Sequence, residues 1–188
     1  MYLELSHFEL LRQTVVGLLI EPLRLGWLGP RHDVIPFPQP RSQAAGLGFP
    51  ILRAVALTSL ATGMLVALAM GRYAGKETGE TALFRTLFDK LRRGDLVLAD
   101  RYYGGWFMLA LLRELGVEFV TRLHQLRTAD FHRGKRLGKG DHVVTWAKPP
   151  KPEWLDQETY DRLPEQLAVR ELEVHVNVPA SAPSRWSW

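Results

Sequence analysis

Gly94-Asp95-Leu96-Val97-Leu98-Ala99-Asp100-Arg101-Tyr102-Tyr103 sets a short apolar run against an aspartate and follows it with a basic residue and two aromatics. Five residues, Asp95 to Ala99, read as a buried strand running into Asp100, and Gly104-Gly105 breaks the chain behind it. A carboxylate at the carboxyl end of a buried strand sits where the loops of an α/β sheet open and ligands bind. Asp100 is therefore a candidate magnesium ligand, because Mg²⁺ prefers a few hard oxygens and keeps several waters. The same position also suits an ordinary strand-ending Asp bonded to the next turn or to Arg101. Arg101, Tyr102 and Tyr103 could meet a phosphate backbone and its bases. Equally, the tyrosines could pack on the next helix with their hydroxyls at the surface.

Upstream of this run, Thr78 reads as an N-cap and Glu80 suits the positive helix end. Leu83, Phe84, Leu87, Phe88 and Leu91 then form one apolar face, and Gly94 supplies the left-handed stop. Downstream, the spacing predicts a second helix with Phe107, Leu111, Leu112 and Leu115 inside, then a strand over Glu118 to Leu123. Further back, Ile51 to Ser59 and Met64 to Met70 are candidate strands joined by Ala61-Thr62-Gly63. The uncharged part of that stretch, Ala54 to Met70, approaches the ~18–20 apolar residues of a membrane helix. Thr58-Ser59 and Thr62-Gly63 near its middle fit a hairpin at least as well. Leu3 to Leu25 reads as one helix ended by Pro22, and 26–48 as a proline-rich loop. The middle of the chain thus runs hairpin, helix, strand, helix, strand, an order that suits a mixed α+β sheet with helices on its faces.

Beyond Leu123 the character changes. Arg127 to Lys139 is basic and glycine-containing, and Trp146 to Pro164 is a proline-rich connector with acids. His142 to Trp146 and Leu167 to Val178 read as strands; in the second, Leu172, Val174, Val176 and Val178 share one face and Glu171, Glu173, His175 and Asn177 the other. The residues Arg133, Lys135, Arg136 and Lys139 could track phosphates, or could form a solvated basic loop. The net charge of +4 favours a polyanionic partner without choosing between nucleic acid and an anionic membrane. With no cysteine, disulfide scaffolds and cysteine metal sites are excluded. No HExxH, Walker A or Gly-x-Ser-x-Gly pattern occurs.

Several stretches in order resemble the DDE transposases of the insertion-sequence-4 type. They are Gly46-Leu47-Gly48-Phe49-Pro50 leading to Ser59-Leu60-Ala61-Thr62-Gly63, then Gly75-Lys76-Glu77-Thr78-Gly79-Glu80 leading to Leu83-Phe84-Arg85, and the opening run Gly94 to Tyr103. The stretches Arg133 to Trp146 and Pro149 to Glu171 also resemble one bacterial branch, so that the likeness covers Phe37 to Val178. The resemblance implies a ribonuclease-H-like fold: three antiparallel strands, a helix, and a fourth strand ending in the second catalytic Asp, here Asp100. It implies Mg²⁺ or Mn²⁺ held by Asp, Asp and Glu, two ions about 3.5–4 Å apart, for cleavage and strand transfer. It also implies DNA (transposon ends and target) as partner, a homodimer in the DNA complex, no membrane, and a cytoplasmic, nucleoid-associated location.

The departures are as specific as the likeness. The sequence has no Asp-Gly-Thr, the family's first-carboxylate motif, and the spacing for it falls near Glu21, within the segment that reads as a helix. The family's final Glu, on a helix with Tyr, Arg and Lys, is also not found. The expected organisation is a divergent helical or loop segment over 1–36, a partial ribonuclease-H-like domain over 37–123, a partial β-rich insertion over 124–178 and a tail over 179–188. The expected function is that of a transposase whose strand-cutting centre is incomplete in this chain. The alternatives are a non-catalytic DNA-binding remnant, a small membrane protein spanning 54–70, and a chain left without its first strand that does not fold.

Overall fold

A computed structural model describes the backbone of residues 15–24 and 51, and both backbone and side chains of 52–174. Five strands form the larger sheet: β1 (Val15–Arg24), β2 (Ile51–Ser59), β3 (Leu65–Arg72), β4 (Leu96–Ala99) and β5 (Glu118–Thr121). Their order is β3-β2-β1-β4-β5. The first three are antiparallel to one another, and β4 and β5 run parallel to β1. This is the ribonuclease-H-like plan that the resemblance implies, with Asp100 directly after β4.

The N-terminal helix reading fails where the structure describes it. Val15 to Arg24 is a strand, and it occupies the centre of the sheet between β2 and β4. Val15, Val16 and Ile20 are β-branched and favour extended backbone, and two flanking strands supply hydrogen bonds that outweigh a loose helical period. The strand that seemed to be missing is therefore present. Residues 3–14 of that reading lie outside the described residues.

The hairpin reading of the apolar stretch holds: β2 and β3 pair antiparallel, with Val55 opposite Ala69 and Leu57 opposite Ala67. Gly63, at φ +69°, makes the turn between them. A membrane span over 54–70 is thereby overturned, and no helix among the described residues is long and apolar enough to cross a membrane.

Helix α1 (Glu80–Arg85) is shorter than the sequence suggests. Its N-cap is Gly79; the Thr78 hydroxyl donates to the Gly75 carbonyl at 3.0 Å instead of capping the helix. Leu83, Phe84, Leu87 and Leu91 are all buried nevertheless, beneath Val55, Leu57 and Val97 of the sheet. Helix α2 (Trp106–Glu114) is gripped from two sides, and this changes which residues it buries. Met108 and Leu112 join the sheet core, whereas Trp106 and Ala110 join a second core with Leu155, Leu163 and Leu167. Leu115, expected inside, is 41% exposed.

That second core lies under a three-stranded antiparallel sheet of β6 (Lys135–Gly138), β7 (Asp141–Ala147) and β8 (Gln166–Leu172), in that order. The strand β6 falls in the stretch read as a basic loop. Helix α3 (Gln157–Arg162) falls in the connector, where the Asp156 carboxylate accepts the Thr159 N–H at 2.7 Å as an N-cap. In β8 the inward face carries Leu167, Val169 and Glu171, while Leu172 is 57% exposed. The face with the acid is thus the inner one; Val176 and Val178 lie outside the described residues.

Candidate functional site

Strand β4 alternates as a half-buried strand should. Val97 is fully buried against the helices, Leu98 is exposed on the other face, and Asp100 follows two residues after Leu98. The Asp100 side chain is about half exposed, at 53%. Its Oδ1 accepts two hydrogen bonds: from the Arg101 backbone N–H at 2.6 Å and from the Arg122 guanidinium at 2.9 Å. Arg122 follows β5, the neighbouring parallel strand, so the sheet itself brings the pair together. The Arg122 bond, with the Arg101 N–H second, holds the Asp100 carboxyl below the usual carboxylate range. Asp100 also caps the short 3-10 turn Arg101–Tyr103. The turn-bonded Asp that the sequence left open is thus what the structure shows, and it is compatible with a ligand role for the outer oxygen.

Tyr102 is exposed at 54% and free to meet a ligand, but Tyr103 is buried and set edge-on to Phe84 of α1, centroids 5.5 Å apart. Its hydroxyl does not reach the surface as expected. It is buried with no hydrogen-bond partner among the described residues, and burial pushes the phenol well above its ordinary range.

The other sequence-named cations lie on the second sheet. Lys135 and Arg136 belong to β6, an edge strand exposed along its whole length; Arg133 precedes it and Lys139 follows it. The Arg136 Nε donates to the Gly138 carbonyl at 3.2 Å, and Arg133 pairs with Asp130 at 3.1 Å. Lys135 also lines an open groove of about 780 Å³ whose walls include Arg113, Glu118, Asp141 and Arg170. Arg170 is held by Asp141 through two bonds of 2.9 and 2.7 Å. Lys135 and Arg136 stand on the second sheet, whereas Asp100 follows β4 of the first, so the sequence-named residues are divided between two sheets.

Sequence reasoning missed the buried polar group that anchors the basic edge. His142 on β7 is fully buried. Its Nδ1 faces the Arg133 carbonyl at 2.8 Å and its Nε2 faces the Glu171 carboxylate at 2.9 Å. Both partners are acceptors, so both ring nitrogens are satisfied together only in the imidazolium form. The bond to Glu171, and next the Arg133 carbonyl, raise the His142 pKa above its ordinary value. Glu171 accepts as well from the Trp146 indole at 3.1 Å, and the Trp106 indole of α2 donates to the Trp146 carbonyl at 3.1 Å. The chain of bonds thus ties the second sheet to α2. A signal existed: an acid on a β8 face otherwise suited to the interior, and a histidine at the start of an apolar strand.

The donor set among the described residues fits a two-ion centre poorly. Asp100 offers a hard oxygen in the right place, but it already has a guanidinium counter-ion. No group of three His, Asp or Glu side chains able to hold a metal ion occurs among the described residues. Glu21, which the family spacing singles out, stands on β1, paired with Ala54 of β2. On the other side of β1, Gly17 is level with Leu98 of β4. Carried on, that register puts position 19 level with Asp100 and Glu21 two residues further, about 7 Å along the strand.

Among curated proteins none matches the chain. Among solved structures, the piggyBac transposase synaptic complex with hairpin DNA, determined by cryo-EM, is similar at 9% identity and a TM-score of 0.45. The similarity covers 89% of this chain and 35% of that one, so this chain spans about a third of its length. The family described as the transposase DDE domain matches residues 32–170, most of the chain and all of the elements from β2 to Arg170 of β8. This chain belongs to the transposase DDE domain family.

Proposed function

We propose that this chain is a DNA-binding part of a transposase of the insertion-sequence-4 type, with Asp100 as the second catalytic carboxylate, and that by itself it does not cut DNA. The observation that supports the reading is the position of Asp100: it ends the strand beside the central β1, on the face where Leu98 is exposed. The partners are transposon ends and target DNA, met as a homodimer in the DNA complex, in the cytoplasm at the nucleoid. Mg²⁺ or Mn²⁺ is the ion of a complete centre, where it would stabilise charge on the attacking and leaving oxygens.

DNA binding falls to Arg101 and Tyr102 beside Asp100 and to Arg133, Lys135, Arg136 and Lys139 on the exposed β6 edge. Each phosphate neutralised lowers the slope of log K against log salt by about 0.9. The four cations of the β6 edge therefore give a slope near about −3.6, a loss of roughly 150-fold between 50 and 200 mM salt. Fluorescence anisotropy on a labelled duplex over that range tests this. Neutralising Lys135, Arg136 and Lys139 together is expected to make the slope shallower by about 2.7. An unchanged slope in the triple variant would remove the β6 edge from the DNA interface.

A further inference from the structure

The family chemistry asks Asp100 to be a ligand open to a dication, and the structure gives it a different cation. The Arg122 guanidinium lies 2.9 Å from Asp100 Oδ1, and that same oxygen also caps the following turn. Arg122 is not a chance neighbour of long reach. It sits one residue beyond β5, whose Thr121 is level with Ala99 of β4, so two parallel strands ending side by side deliver both groups to one spot. Among the described residues, the acid paired with the Arg122 guanidinium is Asp100.

We infer that Arg122 is a resident counter-ion of Asp100, a side chain that competes with any dication for this carboxylate. Two cations cannot share one half-exposed carboxylate without repelling each other, whereas the pair alone is neutral. Arg122 is accordingly a positioning and gating residue, not a catalytic one. The inference rests on the reading of Asp100 as the transposase carboxylate only for its biological sense; the competition itself follows from the ion pair. Because both side chains are about half exposed (53% each), water screens the pair and the competition is modest. An exposed pair of this kind holds back the metal by about two- to fivefold in affinity.

The test uses the 188-residue chain and Mn²⁺ alone, with the dissociation constant read from paramagnetic broadening of the amide signals of residues 100–103. Arg122→Gln is expected to tighten Mn²⁺ binding by about two- to fivefold. Arg122→Lys, which keeps a cation on the same loop, is expected to stay near the wild type. The double variant Asp100→Asn with Arg122→Gln is expected to lose the gain. The inference is overturned if Arg122→Gln binds no tighter, if Arg122→Lys gains as much as Arg122→Gln, or if the gain persists without Asp100. One measurement needs no variant at all. In a Mg²⁺ titration of the wild type, the Arg122 guanidinium ¹⁵N signals must move together with the Asp100 amide, and movement of Asp100 alone would sink the idea. No arm contains DNA, so failure here leaves the DNA-binding reading intact, and a chain that ignores DNA can still pass.

Discussion

Replacing Tyr103 by Phe is expected to stabilise the protein. The ring is fully buried and sits edge-on to Phe84 at 88°, a contact that Phe keeps unchanged. Only the hydroxyl is removed, and that oxygen is buried with no partner among the described residues. A buried polar group without a hydrogen bond costs about 1–3 kcal/mol relative to its hydrated state. Deleting the group also leaves a small void, which returns part of that cost, so a net gain of about 1 kcal/mol is the expectation. For a chain of this size, 1 kcal/mol moves the melting midpoint by about 2–4 °C. In urea it moves the unfolding midpoint by roughly 0.5 M, with the slope unchanged. Far-UV circular dichroism against urea for wild type and Tyr103→Phe gives both numbers. A destabilised variant would refute the reasoning, because it would mean that the hydroxyl makes a hydrogen bond in solution. The residue lies three positions after Asp100, so the result also reports on how firmly the loop beneath the carboxylate is packed.

Three further outcomes follow from the second sheet and its junction. His142 has its folded pKa raised by Glu171 and the Arg133 carbonyl, so its contribution to stability is whole below the ordinary histidine value of 6.5 and is lost as pH rises through the folded pKa. The thermal midpoint of wild type is therefore expected to fall from pH 6.5 upward more than that of His142→Gln; parallel curves would contradict the pairing. Gly134 has φ +75°, and a Cβ there would overlap the Val143 carbonyl, so Gly134→Ala is expected to cost about 1–3 kcal/mol and to weaken DNA binding through the displaced β6 edge. Wild-type stability in that variant, by urea unfolding, would show that the turn is built differently. Trp106→Phe removes the 3.1 Å bond to the Trp146 carbonyl and is expected to cost about 1–2 kcal/mol; hydrogen exchange should rise at β7 amides, and protection there equal to wild type would show that the two sheets are not coupled through α2.

Much of the sheet was legible because its strands declare themselves locally. Leu96 to Ala99 is apolar and ends on an acid, and Ile51 to Ser59 and Leu65 to Arg72 carry a turn glycine between them. β1 was not legible, since Val15 to Arg24 has no polar–apolar alternation and its apolar residues also fit a helical period, while its pairing with β2 and β4 depends on residues far along the chain. α2 misled in a different way. Both its faces are buried, so Trp106 and Ala110 count as much as Leu112, and no single stripe describes it. At the site, Asp100 could be chosen from the sequence because its position depends on one strand. Arg122 and the His142–Glu171 pair could not, because each depends on register between strands, 22 residues apart in one case and 29 in the other.

The most direct test of the account is to incubate the purified chain with supercoiled DNA carrying the element's own ends, in low salt with Mg²⁺ and then Mn²⁺, and to follow both binding and nicking. The account predicts DNA that is bound and uncut, equally for wild type and Asp100→Asn. Nicking by the wild type that disappears in Asp100→Asn would contradict it, by showing a complete cutting centre in this chain. Failure to bind DNA even at low salt would contradict it from the other side.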